Sequence, residues 1–158
     1  MLFRSRHTFR DFHRRALALV AALQAAGMRK GDRVATLMWN HYAHMEAYFG
    51  IPCAGGVLHT LNLRLHPDDI GYIANHAGDR FLIVDDVLLP LYEKFKHHAK
   101  FERVIVVPLT KQAVANGHDD YEKFIAGAGA MRVPKLDEND AAGMCYTSGT
   151  TGRPKGVV

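Results

Sequence analysis

The sequence is poor in cysteine: 158 residues contain two, Cys53 and Cys145. They form no metal-ligand spacing and no disulfide framework, which fits a reducing compartment. Both sit in apolar or small-residue surroundings. Long apolar runs are also missing. The run from Ala16 to Leu23 is far short of the ~20 residues a membrane span needs, so no transmembrane segment is expected. The net charge is +4, yet the basic residues are scattered and no run resembles a binding arm. Nucleic acid is therefore not expected as a partner. There is no internal repeat, no low-complexity tract and no HExxH pattern. What remains is the balance of a globular protein, 48% hydrophobic and 23% charged, long enough for one domain with a real core.

The first segment could pass for a signal peptide, with basic residues ahead of an apolar run. The spacing favours a folded helix over Phe9–Ala26. Phe9, Phe12, Ala16, Leu19, Val20 and Leu23 recur on one face. Thr8 and Asp11 read as a capping pair, and Gly27 as a left-handed stop.

Elements then alternate. After a turn at Lys30–Asp32, Arg33–Trp39 reads as a strand. His41–Cys53 reads as a helix with Met45, Tyr48 and Phe49 inward, broken by Gly55 and Gly56. Val57–Thr60 is a buried strand. Pro67, with Asp68 and Asp69 in the first turn, starts a helix that ends at Gly78. Arg80–Asp85 is a strand, Val87–Lys96 a helix and Arg103–Val107 a strand. This order predicts an α/β fold, alternating helices and mostly parallel strands. The scaffold is read as 8–107. A surface excursion, 108–140, carries one short helix near Tyr121–Ala126. Residues 141–158 supply a last strand, Ala142–Tyr146, and a loop.

Several polar residues invite functional readings. His41 and His44 have i, i+3 spacing near Glu46, but a zinc site would need a further ligand, so surface histidines are expected. His97 and His98 suit a helix C-terminus. His59 is read as a hydrogen-bonded core histidine, with a place beside a substrate route as the sharper option. Trp39 is assigned to core packing, although strand ends of this kind gather ligands in α/β sheets. Asp85 and Asp86 are read as a solvated turn and helix cap.

The informative segment is Tyr146–Gly156, YTSGTTGRPKG, with three glycines, three threonines, one serine and one lysine after an apolar strand. Glycines let backbone N–H groups approach an anion. Hydroxyls donate to phosphate oxygens or meet magnesium, and Lys155 supplies a mobile positive charge. Pro154 stiffens the approach to Lys155. The pattern differs from GxxxxGK[ST], because Arg153 and Pro154 separate Gly152 from Lys155. The residues after Lys155 read as a strand, so the loop is expected to join two strands. Val157 and Val158 are expected to lack partners and leave an open sheet edge.

This string resembles the phosphate-loop signature of the adenylate-forming (AMP-binding) superfamily, with no departure inside it. Upstream, HTFRDFHRRALALVAALQAAGMRKGDRVATLMWN and VLHTLNLRLHPDDIGYIANHAGDRFLIVDD resemble medium- and long-chain fatty-acid–CoA ligases (acyl-CoA synthetases) in particular. The likeness covers Thr8 to Val158.

The resemblance implies part of a large N-terminal domain. It implies a two-step reaction in which a fatty or other carboxylic acid and ATP give an acyl-adenylate, and CoA then forms the thioester. Mg2+ accompanies the ATP. Carried over position by position, Thr147, Ser148, Gly149, Thr150, Thr151, Gly152 and Lys155 would contact the ATP phosphates. A loop threonine, not singled out, would approach the magnesium. No catalytic residue is assigned. In the family the adenine pocket, the acid tunnel, the metal-binding glutamate, the ribose-binding aspartate and the mobile C-terminal domain with its lysine all follow this loop. Family members also carry several dozen residues before the Thr8 helix. The expectation is thus a fragment, inactive alone. The alternative is a non-catalytic α/β binding or dimerisation module of that descent. A cytoplasmic location, peripheral membrane contact and a homodimer are compatible with either.

Overall fold

A computed structural model describes residues 6–132, 134–147 and 152–158. Seven strands form one sheet in the order β5-β4-β3-β1-β2-β6-β7. They are β1 (Arg33–Leu37), β2 (Val57–Thr60), β3 (Asp79–Asp85), β4 (Arg103–Val107), β5 (Asp119–Asp120), β6 (Gly143–Thr147) and β7 (Lys155–Val157). All neighbouring pairs are parallel except β6 with β7, which is antiparallel. Among the described residues α1 (Phe9–Ala25) precedes β1, and α2 (Tyr42–Cys53), α3 (Pro67–Ala77), α4 (Leu89–Phe95) and α5 (Tyr121–Ala126) lie between strands. The 3-10 turn Asp86–Leu88 leads into α4.

Local chemistry sets the helix ends. Thr8 Oγ1 accepts from the Asp11 N–H and the Thr8 N–H donates to Asp11 Oδ2, a reciprocal capping box. Gly27 follows with φ 88°. Pro67 occupies the first turn of α3, where its missing N–H costs no helix bond, and Gly78 ends that helix in the left-handed region at φ 68°.

The sheet is covered on both faces, so its central strands are buried on both. On one face α1, α2 and α5 pack Leu19, Val20, Leu23, Ile51, Tyr121 and Ile125 against Val34, Ile83 and Ile105. On the other, α3 and α4 pack Ile70, Ile73 and Phe95 against Leu37, Leu82, Val84 and Val106. The chain runs from β1 to β2 on one side, then returns to place β3 on the other. Order therefore reverses at β1. In such sheets ligands gather at the C-terminal strand ends, and β6 delivers its loop at that edge.

Several expectations are corrected. Met45, Tyr48 and Phe49 are exposed, and α2 buries Ala43, His44, Glu46, Ala47, Gly50 and Ile51 instead. Small residues face α1 because the helices approach closely at Gly50. Phe9, placed on the buried stripe of α1, is 93% exposed at the helix's first turn. Trp39 is half exposed rather than core. Asp85 is not solvated: it is fully buried, accepting from the Trp39 N–H and from His41 Nε2, both at 2.8 Å. His41 in turn accepts from the Ala43 N–H and caps α2. His44 is buried against Thr36 Oγ1 and the Trp39 carbonyl, and burial pushes its pKa down. Neither histidine is a surface residue of the helix. The segment 108–140 also enters the core, since Tyr121 is fully buried and β5 extends the sheet. Val157 has a partner, Cys145, in the β6–β7 ladder. Both cysteines are exposed and free.

Candidate functional site: the hairpin loop between β6 and β7

The β6–β7 ladder pairs Cys145 with Val157, Tyr146 with Gly156 and Thr147 with Lys155. Thr147 ends one strand and Lys155 begins the next, so the two stand opposite each other at the loop's mouth, both exposed. Gly152 has φ 129°, a backbone that L side chains rarely adopt. Ser148, Gly149, Thr150 and Thr151 lie outside the described residues. Of the seven residues named for phosphate contact, the structure therefore locates Thr147, Gly152 and Lys155 and brings Thr147 and Lys155 together.

An exposed hydroxyl facing an exposed ammonium suits an anion with several oxygens. Among the described residues no three His, Cys, Asp or Glu side chains converge on a metal-binding point.

Tyr146, one residue before Thr147, ends the strand and opens the signature, but the sequence gives it no contact of its own. Its hydroxyl lies 2.6 Å from His76 Nδ1 on α3. Its ring packs 5.3 Å from that of His59. Burial, and then the nearby charge of Asp79, pushes the Tyr146 phenol up, so it stays protonated. His59 is the core histidine expected: it is fully buried, with Nδ1 2.8 Å from Asp79 Oδ2. Its Nε2 has no hydrogen-bond partner among the described residues. Burial pushes the Asp79 carboxyl up, with the His59 bond acting against it. Arg153 places its guanidinium 4.8 Å from the centre of the Tyr72 ring, and Tyr72 stacks on His76 at 5.5 Å. The one signal for this cluster in the sequence is the i, i+4 spacing of Tyr72 and His76, which puts two rings on one face of α3.

Fold and loop together define a class: a doubly covered, largely parallel α/β domain with a glycine- and hydroxyl-rich hairpin at its edge. The family follows from comparison with known proteins. The model of the AMP-binding enzyme family matches residues 2–158, and the chain belongs to that family. A long-chain-fatty-acid–CoA ligase of Thermus thermophilus is 46% identical over 154 residues, 97% of this chain and 28% of that protein. A 3-methylmercaptopropionyl-CoA ligase of Ruegeria pomeroyi is 45% identical over 148 residues, 90% of this chain and 28% of that one. Among solved structures, the anthranilate CoA ligase AuaEII in complex with anthranoyl-AMP matches with a TM-score of 0.87 at 28% identity. That match covers 95% of this chain and 29% of AuaEII. The chain thus spans between a quarter and a third of the length of these relatives.

Proposed function

We propose that these 158 residues are the phosphate-holding part of an ATP-dependent acyl-CoA ligase acting on a fatty or related carboxylic acid. In the first step a carboxylate oxygen attacks the α-phosphorus of ATP. The bond to the bridging oxygen breaks, and pyrophosphate leaves with its electron pair. In the second, the CoA sulfur attacks the acyl carbon and AMP departs. The observation that carries this reading is the register of Thr147 opposite Lys155, with the Gly/Ser/Thr loop between them. Thr147, Ser148, Gly149, Thr150, Thr151, Gly152 and Lys155 would hold the leaving phosphates, and positioning of this kind supplies most of the catalysis in phosphoryl chemistry. Magnesium, bound with ATP, would neutralise phosphate charge there.

The division into a scaffold (8–107), a segment (108–140) whose Tyr121 returns to the core and a loop-bearing segment (141–158) belongs to the same proposal. So does a cytoplasmic location, supported by two free, exposed thiols and tested by cell fractionation, which would also show any peripheral membrane contact. The named relatives act on unlike acids, so a fatty acid is the class supported by the first of them and by the resemblance along Val57–Asp86.

Calorimetric titration with magnesium–ATP and with pyrophosphate tests the loop, and ATP–pyrophosphate exchange over a panel of fatty acids tests the chemistry. Binding without exchange is expected of the 158 residues alone. Failure to bind either ligand would sink the reading. A second reading, a non-catalytic or dimerising module, is favoured by one feature. An open apolar groove of about 650 Å³ is lined by Phe9, Phe12, Met45, Tyr48 and Phe49. Sedimentation showing a dimer that binds no phosphate would select it.

A further inference from the structure

The loop end of the β6–β7 hairpin has little support from the sheet. β6 pairs with β2 through Gly143 and Met144, and β7 is three exposed residues at the sheet edge, so from Cys145 onward the hairpin is a two-stranded ribbon, which is marginal in water by itself. Yet the loop it closes must present its donors in one arrangement if binding is to be strong, since every disordered shoulder is ordered at the expense of affinity. The chain on both shoulders of the loop is tied to one helix. Tyr146 precedes Thr147 and bonds His76. Arg153 lies two residues before Lys155 and sits over Tyr72. Tyr72 and His76 are one turn apart on α3 and stack on each other.

The helix is itself fixed. Ile70, Ile73 and Ala74 are buried. The Tyr146 ring is confined as well. The fully buried His59 lies beside it, and the His76 ring meets it edge-on at 87°. Gly156 stands so close that an added Cβ would come within 3.1 Å of the ring. Rigidity therefore passes from the core to α3, from α3 to two ring contacts, and from these to both ends of the loop.

We propose that Tyr72 and His76 are positioning residues for the phosphate loop: they clamp Tyr146 on the entering strand and Arg153 on the return, and so hold Thr147 and Lys155 in register. The inference rests on the phosphate reading above. Neither α3 residue touches the phosphates in this scheme; both act through the hairpin.

The test uses the whole chain and inorganic tripolyphosphate with magnesium as the probe. Tyr146→Phe deletes one oxygen and keeps the ring. His76→Ala removes the partner, and His76→Asn restores a side-chain group able to reach the same hydroxyl. Tyr146→Phe and His76→Ala should each weaken binding about 5- to 10-fold, the equivalent of one ordinary hydrogen bond. His76→Asn should recover most of the loss, and Tyr72→Leu should weaken binding by a smaller factor through Arg153. Hydrogen exchange at the β7 amides should quicken in the weakened variants while β1 and β3 amides and the unfolding midpoint stay put.

Wild-type affinity in Tyr146→Phe and His76→Ala, with β7 exchange unchanged, would overturn the clamp alone. A wild-type chain that binds no tripolyphosphate would overturn the phosphate reading and the clamp with it. A fall in binding matched by a fall in the unfolding midpoint, with no rescue by His76→Asn, would reduce α3 to a structural support and overturn the positioning role.

Discussion

Arg15 of α1 grips the carboxylate of Glu46 on α2, Nε to Oε1 at 2.6 Å, with the Glu46 side chain 1% exposed. The same guanidinium binds both oxygens of Glu122 on α5 at 2.8 Å. Tyr121 donates to Glu46 Oε2 at 2.7 Å. Three helices on one face of the sheet are thus joined through one cation, and the two carboxylates hold Arg15 well above its ordinary pKa against the opposing effect of burial. Arg15→Met would strand a buried carboxylate, and a loss of about 3–5 kcal/mol is expected. The double variant Arg15→Met/Glu46→Met should recover much of it, because both charges leave together. Urea unfolding of the four members of the cycle measures this; equal costs for the single and double variants would contradict it.

Glu122 gives the network a pH dependence. Burial pushes its carboxyl up, but the Arg15 bonds and the Tyr42 hydroxyl outweigh burial and hold it below the usual carboxylate range. A carboxyl depressed in the folded state stabilises fully above its unfolded value of 4.5 and loses that contribution as pH falls through the folded value. The urea midpoint should therefore fall as pH drops below the mid-4 range. Glu122→Gln should start lower at neutral pH and fall less steeply. Parallel pH profiles for the two proteins would show that Glu122 contributes nothing.

At Gly50 the contact of α1 with α2 leaves no room. A Cβ there would lie 3.0 Å from Leu19 Cδ2 and 3.1 Å from the Ala16 carbonyl oxygen. A leucine tip can rotate, but a helix carbonyl cannot, so the helices must separate. Gly50→Ala should cost about 1–3 kcal/mol as overpacking, although alanine favours a helix by about 1 kcal/mol over glycine. Gly129→Ala, with open space around it, is the control and should leave the midpoint in place.

These cases show which parts of the molecule local sequence can reveal. Helix ends were legible because their causes lie within a few residues: Thr8 with Asp11, Pro67, Gly78. Strands β1, β3 and β4 were legible as short apolar runs bounded by turns. The inward face of α2 was not. Its apolar residues surround the helix, and size rather than hydropathy selects the face: Ala43, Ala47 and Gly50 permit close approach, while Met45, Tyr48 and Phe49 are turned out. Nothing local marks Asp85 as buried, because its partners, Trp39 and His41, lie 46 and 44 residues away. The candidate loop stood out by composition alone, whereas its support from His76 did not, since 70 residues separate it from Tyr146. Proximity across the sheet depends on strand order, and the chain shows strand order only once folded.

Lys155 is the residue on which the phosphate reading depends most directly. It faces Thr147 across the ladder and is exposed, so its ammonium is free to meet an incoming anion. Charge-assisted bonds contribute about 1.5–3 kcal/mol, so Lys155→Ala should weaken tripolyphosphate binding about 10- to 100-fold. Lys155→Arg should retain part of the affinity, because it keeps the charge but replaces a compact ammonium with a wider fork. Net charge alone could mimic the loss. Lys100→Ala, an exposed lysine that is part of neither β6 nor β7, removes the same charge elsewhere and should bind as wild type. Added salt should weaken the wild-type complex more than the Lys155→Ala complex, since the attraction it screens has gone from the variant. If Lys155→Ala and Lys100→Ala bind alike at every salt concentration, the anion is held by the basic surface as a whole, and the hairpin is not a phosphate site.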